Sequence, residues 1–262
     1  MLKIDLEGRV ALVVGGSRGI GGGITETLSR AGARVTFTHT GDPARQGAIE
    51  SLVARVHAEG GHLTPVVADA SDATAVASLV DTLIHEHGRL DILVQNAGVL
   101  FERRMETISV EEWDRCLDVN LTAAFCSVRA VLPPMLKAGY GKIILIGSSA
   151  VYDGGGGAID YATAKAGLDG MVKYLAKTYT RLGVLTNVVH PGPIDTDLLR
   201  QRYPVGASAR EKLIAQMPTG RLGQPEDIAG LVAFLASSWG DFIGGQAFLV
   251  DGARTIFRLM PR

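Results

Sequence analysis

Arg9-Val10-Ala11-Leu12-Val13-Val14-Gly15-Gly16-Ser17-Arg18-Gly19-Ile20-Gly21 sets an apolar, β-rich run directly before a glycine-rich turn. A strand that feeds such a turn, and then the helical pattern of Ile20–Ala31, reads as the opening of a βαβ unit. The glycines let the backbone turn sharply and approach a pyrophosphate, while the helix N-terminus supplies free N–H groups and a positive dipole end. The spacing is Gly-x-x-x-Gly-x-Gly rather than the commoner Gly-x-Gly-x-x-Gly. Gly15, Ser17, Arg18, Gly19, Ile20 and Gly21 are the candidate phosphate cradle.

The same alternation continues along the chain. Arg9–Val14, Arg34–Phe37, Thr64–Ala68, Leu90–Gln95, Lys142–Ile146, Thr186–Val189 and Ala247–Val250 read as strands. Several are apolar at successive positions, as in a sheet covered on both faces. Helical patterns lie between them at Ile20–Ala31, Ala44–Glu59, Ala73–His87, Val110–Leu132, Asp160–Leu182 and Pro225–Ser237. Right-handed crossovers then give an α/β fold: one Rossmann-type, doubly wound parallel sheet of about seven strands with helices on both faces. These elements fill the length, so residues 1–262 are expected to be one domain. The long irregular stretch at about 191–224 is expected to be a substrate lid.

Composition excludes several classes. Lys and Arg number 26 against 27 Asp and Glu, so no net field favours nucleic acid or an anionic membrane. The two cysteines, Cys116 and Cys126, cannot make a disulfide framework and read as small buried hydrophobes. No run approaches the roughly 18 apolar residues of a spanning helix, and the N-terminus lacks a secretory pattern, so a cytoplasmic protein without a metal centre is expected.

A carboxylate near the end of the second strand binds the ribose 2′-hydroxyl in NAD sites. Here Thr36-Phe37-Thr38-His39-Thr40 offers none before Asp42. A 2′-phosphate would not be repelled, and Arg18 supplies a guanidinium for it, with Thr38, His39 and Thr40 adding hydrogen bonds. NADP(H) is therefore expected over NAD(H).

Tyr161 and Lys165 stand four apart on one helical pattern and share a face. A tyrosine ionises near pH ~10, and a neighbouring ammonium lowers that value toward the working range. Ser148 follows the Lys142–Ile146 strand at the carboxyl edge, where open α/β sheets place ligands, and its hydroxyl can hold a carbonyl oxygen.

Taken together, these pieces resemble the short-chain dehydrogenases/reductases from Arg9 to Gly252. Besides the glycine turn and Tyr161-Ala-Thr-Ala-Lys165, the resemblance rests on Asp69, Asn96-Ala97-Gly98, Asp118-Val119-Asn120 and Pro191-Gly192-Pro193-Ile194-Asp195-Thr196. Arg221-Leu222-Gly223-Gln224-Pro225-Glu226 and Val250-Asp251-Gly252 complete it. It implies that Tyr161 is the general acid in reduction, Lys165 binds the nicotinamide ribose, Ser148 polarises the substrate oxygen, and Asn120 holds a relay water. It also implies that Asp69 with Ala70, Asn96-Ala97-Gly98, and Pro191, Gly192, Ile194 and Thr196 contact the cofactor. Among such proteins the chain is most similar to 3-oxoacyl-[acyl-carrier-protein] reductases and carbonyl reductases.

Some positions depart from that pattern. Val14 replaces the usual threonine before the first glycine, and His190 stands where a small residue is commoner, reading as a packed strand-end histidine or a pocket-tuning one. The Gly154–Gly157 run lies at the expected substrate pocket, with Leu100, Phe101, Val151, Tyr152 and Gly192 as its walls. Expected partners are a small carbonyl or alcohol substrate, including one linked to acyl carrier protein, and three further copies in a homotetramer. Two other readings remain open: an NAD-dependent alcohol or sugar dehydrogenase, and a cyclic-di-GMP-binding regulatory member of the same family.

Overall fold

The computed structural model describes residues 4–154 and 158–259. Gly155, Gly156 and Gly157 of the glycine run, and Met260 of the apolar tail, lie outside the described residues. Strands β1 (Val10–Val14), β2 (Arg34–His39), β3 (His62–Val67), β4 (Ile92–Gln95), β5 (Gly141–Ile146), β6 (Val184–Pro191) and β7 (Ala247–Val250) form one sheet. Its order is β3-β2-β1-β4-β5-β6-β7, with every pairing parallel.

Alternate residues of each strand enter opposite cores, which explains the unbroken apolar runs. Ala11 and Val13 of β1 face one core, where Ile24 and Leu28 of α1 (Gly19–Arg30), Ile49 and Val56 of α2 (Gln46–Ala58) and Ile228 and Val232 of α10 (Pro225–Ala236) pack. Val10, Leu12 and Val14 face the other. There Leu79 and Leu83 of α3 (Ala73–His87), Val128 and Val131 of α5 (Ala123–Ala138) and Leu168 and Val172 of α7 (Ile159–Tyr179) pack.

Two helical expectations need correction. The segment read as Val110–Leu132 is α4 (Val110–Leu117), a π-helical turn at Asp118–Thr122 and then α5, which runs through Pro133 and Pro134 to Ala138. Pro133 is exposed, so water can bond the carbonyl its missing N–H leaves free, while fully buried Met135 anchors the last turns. Together α4 and α5 are long and apolar enough to cross a membrane, yet one face is a core layer of the sheet. The stretch read as irregular at 191–224 contains α8 (Asp197–Arg202) and α9 (Ser208–Ala215). Leu213, Met217 and Leu222 give that stretch a small core of its own. Two more short helices escaped the sequence pattern: α6 (Ala150–Asp153) and α11 (Arg254–Leu259).

Helices α1 and α10 pack most intimately at Gly23, where an added Cβ would lie 2.8 Å from Cβ of Pro225. Gly23→Val should therefore cost about 1–3 kcal/mol by overpacking. The expected fall in Tm is about 3–10 °C in a thermal melt. An unchanged Tm would show that the α1–α10 contact is slack.

Candidate active site

All loops that leave the carboxyl ends of the strands converge on one edge of the sheet, at the β1/β4 switch point where the order reverses. The glycine turn sits there and is braced from three sides. Gly15 donates its N–H to the Thr38 hydroxyl at 2.9 Å. Gly15 O accepts from Asn96 Nδ2 at 2.7 Å, and Ala97 N–H reaches Val14 O at 2.9 Å. These contacts replace the hydroxyl missing at Val14.

The turn has the shape of a cradle. An added Cβ at Gly21 would meet Gly15 O at 2.1 Å, and Gly15 has φ +76° with Ala97 Cα 2.8 Å from where its Cβ would stand. Helix α1 opens without a side-chain cap and without an acidic residue in its first turn, so its N-terminal N–H groups stay available to an anion. These features fit a dinucleotide pyrophosphate. Arg18 is the exposed N-cap residue. Ser17 and Ile20 flank it, and Gly19 (φ +52°) lies beneath Thr196.

Other candidate cofactor residues sort into two groups. Thr40 is exposed on the rim, and Asp69 is exposed after β3. Asp69 Oδ1 accepts from the backbone N–H and hydroxyl of Ser71, which hold its carboxyl below the usual range. By contrast Thr38 is buried with its hydroxyl committed to Gly15, so it braces the turn instead of reaching a 2′-phosphate. His39 is buried and accepts from Gly41 N–H. The side chains of Ala70 and Ile194 lie in the hydrophobic cores. Thr196 accepts from Leu199 N–H as the N-cap of α8. Gly192 is required at the end of β6, because an added Cβ would stand 2.5 Å from Asp251 Cβ.

Sequence reasoning missed Arg45. It pairs with Asp42, which follows β2, and with Asp197 of α8, at 3.3 Å in both cases. A second ion pair, Glu102–Arg202, ties the far end of α8 to the loop after β4. No periodic pattern could reveal the Arg45–Asp197 and Glu102–Arg202 pairs, since their partners lie far apart in sequence.

The four expected catalytic residues come together. Ser148 follows β5, and its hydroxyl stands near enough to the Tyr161 phenol to favour its ionised form. Lys165, one turn along α7, places Nζ 5.7 Å from the Tyr161 ring centroid and donates to Ile146 O at 2.9 Å. Asn120 sits in the π-helical turn, a distortion common at functional sites. Its side chain clasps Val99, with Nδ2 donating to Val99 O at 2.9 Å and Oδ1 accepting Val99 N–H at 3.2 Å. Gly98 admits this clasp, since its Cβ would meet Asn120 Oδ1 at 2.7 Å and Lys165 Nζ at 3.2 Å. Val151 and the exposed Tyr152 lie on α6 just beyond Ser148.

The electrostatics differ from the expectation on one point. Burial pushes the Tyr161 phenol above its ordinary range, partly offset by the Ser148 hydrogen bond. Burial also pulls Lys165 down to about 8. Desolvation, not the neighbouring ammonium, therefore governs the tyrosine in this arrangement, which keeps it a protonated acid. Cys116, a buried neighbour of Asn120, is pushed up to about 11 by burial and then by Asp160, as an inert packed thiol.

The profile of the family described as enoyl-(acyl carrier protein) reductase matches residues 14–254. The chain belongs to the short-chain dehydrogenase/reductase family. It is 38% identical over 249 residues to the 3-oxoacyl-[acyl-carrier-protein] reductase FabG of Escherichia coli, covering 95% of this chain and 98% of that one. FabG of Thermotoga maritima is 33% identical over 251 residues, covering 96% and 99%. Among solved structures, a putative gluconate dehydrogenase from Agrobacterium tumefaciens superposes with TM-score 0.90 at 32% identity, over 97% of this chain and 99% of that one. A putative NAD(P)-dependent gluconate 5-dehydrogenase from Beutenbergia cavernae, with bound NADP, gives TM-score 0.89 at 31% identity, over 97% and 100%.

The folded-state value of Lys165 lies below the 10.5 of an ordinary lysine. Between about 8 and 10.5 the unfolded chain thus holds more proton, and stability rises with pH across that window. Lys165→Met removes this dependence. Thermal melts of both proteins at pH about 7 and about 9.5 should show the parent gaining on the variant at the higher pH. A constant difference would mean that the ammonium is not buried.

Proposed function

We propose that the chain is an NADPH-dependent reductase of ketones, with 3-oxoacyl thioesters as its preferred substrate class. The observation that carries this reading is the meeting of Ser148, Tyr161 and buried Lys165 on the sheet edge that holds the glycine cradle. When bound, the nicotinamide supplies the hydride. The chain's own residues do the rest. Ser148 and Tyr161 hold the substrate oxygen, and the protonated Tyr161 hydroxyl gives its proton as negative charge grows there. Lys165 holds the ribose and passes a proton back toward Tyr161, and Asn120 keeps a water in line behind it. In the oxidative direction Tyr161 accepts the proton instead.

Arg18 reads the 2′-phosphate, as its exposed position at the start of α1 allows, with the Asp42 charge already paired by Arg45. Ser17, Thr40, Asp69 and Asn96-Ala97-Gly98 line the adenosine side, and Pro191, Gly192, Ile194 and Thr196 line the nicotinamide side with their backbones. Residues 191–224 act as the lid, pinned by Arg45–Asp197 on the cofactor side and Glu102–Arg202 on the substrate side. Val151, Tyr152 and Gly192 wall the substrate pocket. The whole chain works as one domain.

The choice of thioester follows the 3-oxoacyl-[acyl-carrier-protein] reductase activity of the FabG relatives. A second reading, oxidation of a sugar acid, is favoured by the gluconate-dehydrogenase neighbours at nearly the same TM-score. A substrate panel with both classes separates them. Exposed apolar side chains at two places support a homotetramer: Val110, Phe125 and Tyr174 on α4, α5 and α7, and Trp239, Phe242, Ile256 and Phe257 around β7 and α11. A cytoplasmic location accords with this reading.

Tyr161→Phe deletes the transferable proton alone. Turnover should fall at least about a hundredfold, with the NADPH Kd within about twofold by fluorescence titration. Turnover close to the parent's would rule out Tyr161 as the acid. Arg18→Ala should weaken NADPH by about tenfold or more and leave NADH nearly unchanged. Equal weakening of both nucleotides would take Arg18 off the 2′-phosphate.

A further inference from the structure

His190 is the penultimate residue of β6 and wholly buried. Its Nδ1 lies 3.0 Å from the backbone N and 3.1 Å from the backbone O of Ser148, and its Nε2 lies 2.7 Å from Asp169 Oδ1. Asp169 stands on α7 four residues after Lys165 and eight after Tyr161, so the three share one stripe of that helix. The imidazole meets the Tyr152 ring edge-on, with centroids 5.6 Å apart and planes at 83°. Room for the ring comes from Gly147, where an added Cβ would stand 2.3 Å from Nδ1.

Asp169 selects the tautomer of the neutral ring. Its carboxylate accepts, so Nε2 carries the hydrogen donated to it, and Nδ1 accepts from the Ser148 N–H. The other neutral tautomer could donate from Nδ1 to Ser148 O but would set the Nε2 lone pair against a carboxylate. The Asp169 carboxylate therefore orients the ring, and the ring holds the Ser148 peptide. A buried imidazole with an unmatched nitrogen would cost desolvation energy that an aliphatic residue of similar size avoids. Both matched partners instead lie at the reacting end of the site.

We propose that Asp169 and His190 form a positioning couple that fixes the main chain of Ser148, keeping its hydroxyl on Tyr161, and seats the Tyr152 ring at the pocket wall. The inference rests on the roles assigned above to Ser148 and Tyr161, and adds two residues that touch neither substrate nor cofactor. Loss of the couple displaces the Ser148 hydroxyl without touching the glycine cradle. It should therefore act on kcat, leaving nucleotide binding and most of KM intact.

The test pairs disruptive with conservative variants. His190→Leu and Asp169→Leu remove the acceptor for Ser148 and the anchor for the ring. His190→Asn keeps an oxygen at the level of Nδ1, and Asp169→Asn keeps an acceptor for Nε2–H. With NADPH and an acetoacetyl thioester, kcat should fall about 10- to 100-fold in both leucine variants. KM and the NADPH Kd should stay within about threefold, and the two asparagine variants should recover most of kcat. In the parent without ligands, imidazole 15N–1H correlation spectra should show His190 as the Nε2–H tautomer, a signature lost in Asp169→Leu. A leucine variant with parental kcat, an asparagine variant no better than its leucine counterpart, or an Nδ1–H tautomer would each overturn the couple. Ser148→Ala run alongside separates the two levels: it should cripple turnover, and if it does not, the reading of the site itself falls.

Discussion

The closeness with which β1 and β4 end governs the site. Gly15 follows β1, and its missing Cβ leaves room for the Ala97 backbone that follows β4. That approach lets Asn96 bond Gly15 O, which shapes the turn and aims the start of α1 at the same edge. The next two layers depend on it in turn. Gly98 lies close to Asn120 Oδ1 and Lys165 Nζ, so the β4 loop links the dinucleotide cradle to the proton-transfer group. A side chain at any of these glycines would push the two halves of the site apart, whatever the chemistry of the remaining residues.

Within that frame, desolvation is the strongest influence on reactivity. Burial holds Tyr161 protonated and pulls Lys165 toward neutrality, which keeps the phenol proton in place for a substrate oxygen. The Lys165–Ile146 hydrogen bond limits the cost of burying the ammonium. Ser148 and His190 extend the same polar chain along the ends of β5 and β6. Residues 191–224 approach from outside and are held by ion pairs between exposed or half-exposed groups, each worth little alone.

What the sequence could reveal follows from the range of each interaction. Local period and turn chemistry located all seven strands, the glycine turn and the Tyr161–Lys165 face, because each is written within a few neighbouring residues. Ser148 was legible from its place after a strand end, whereas Asn120 became legible only as a member of an ordered family pattern, since helices far apart in sequence bring it to the site. The structure shows three things hidden from local reasoning. Thr38 turns inward to brace Gly15, Arg45 bridges to Asp197 of α8, and Asp169 reaches His190 across 21 positions. The prolines of α5 misled for a related reason: the local rule ends a helix there, but tertiary packing of Met135 carries it on.

The most direct test of the account is the loss of NADPH absorbance with an acetoacetyl thioester and the purified chain, set beside gluconate with oxidised nucleotide. The account predicts saturable NADPH consumption by the thioester, faster than any turnover of the sugar acid. Tight NADPH binding with no reduction of this thioester or of simple ketones would contradict the claim that this edge of the sheet is a ketone-reducing site.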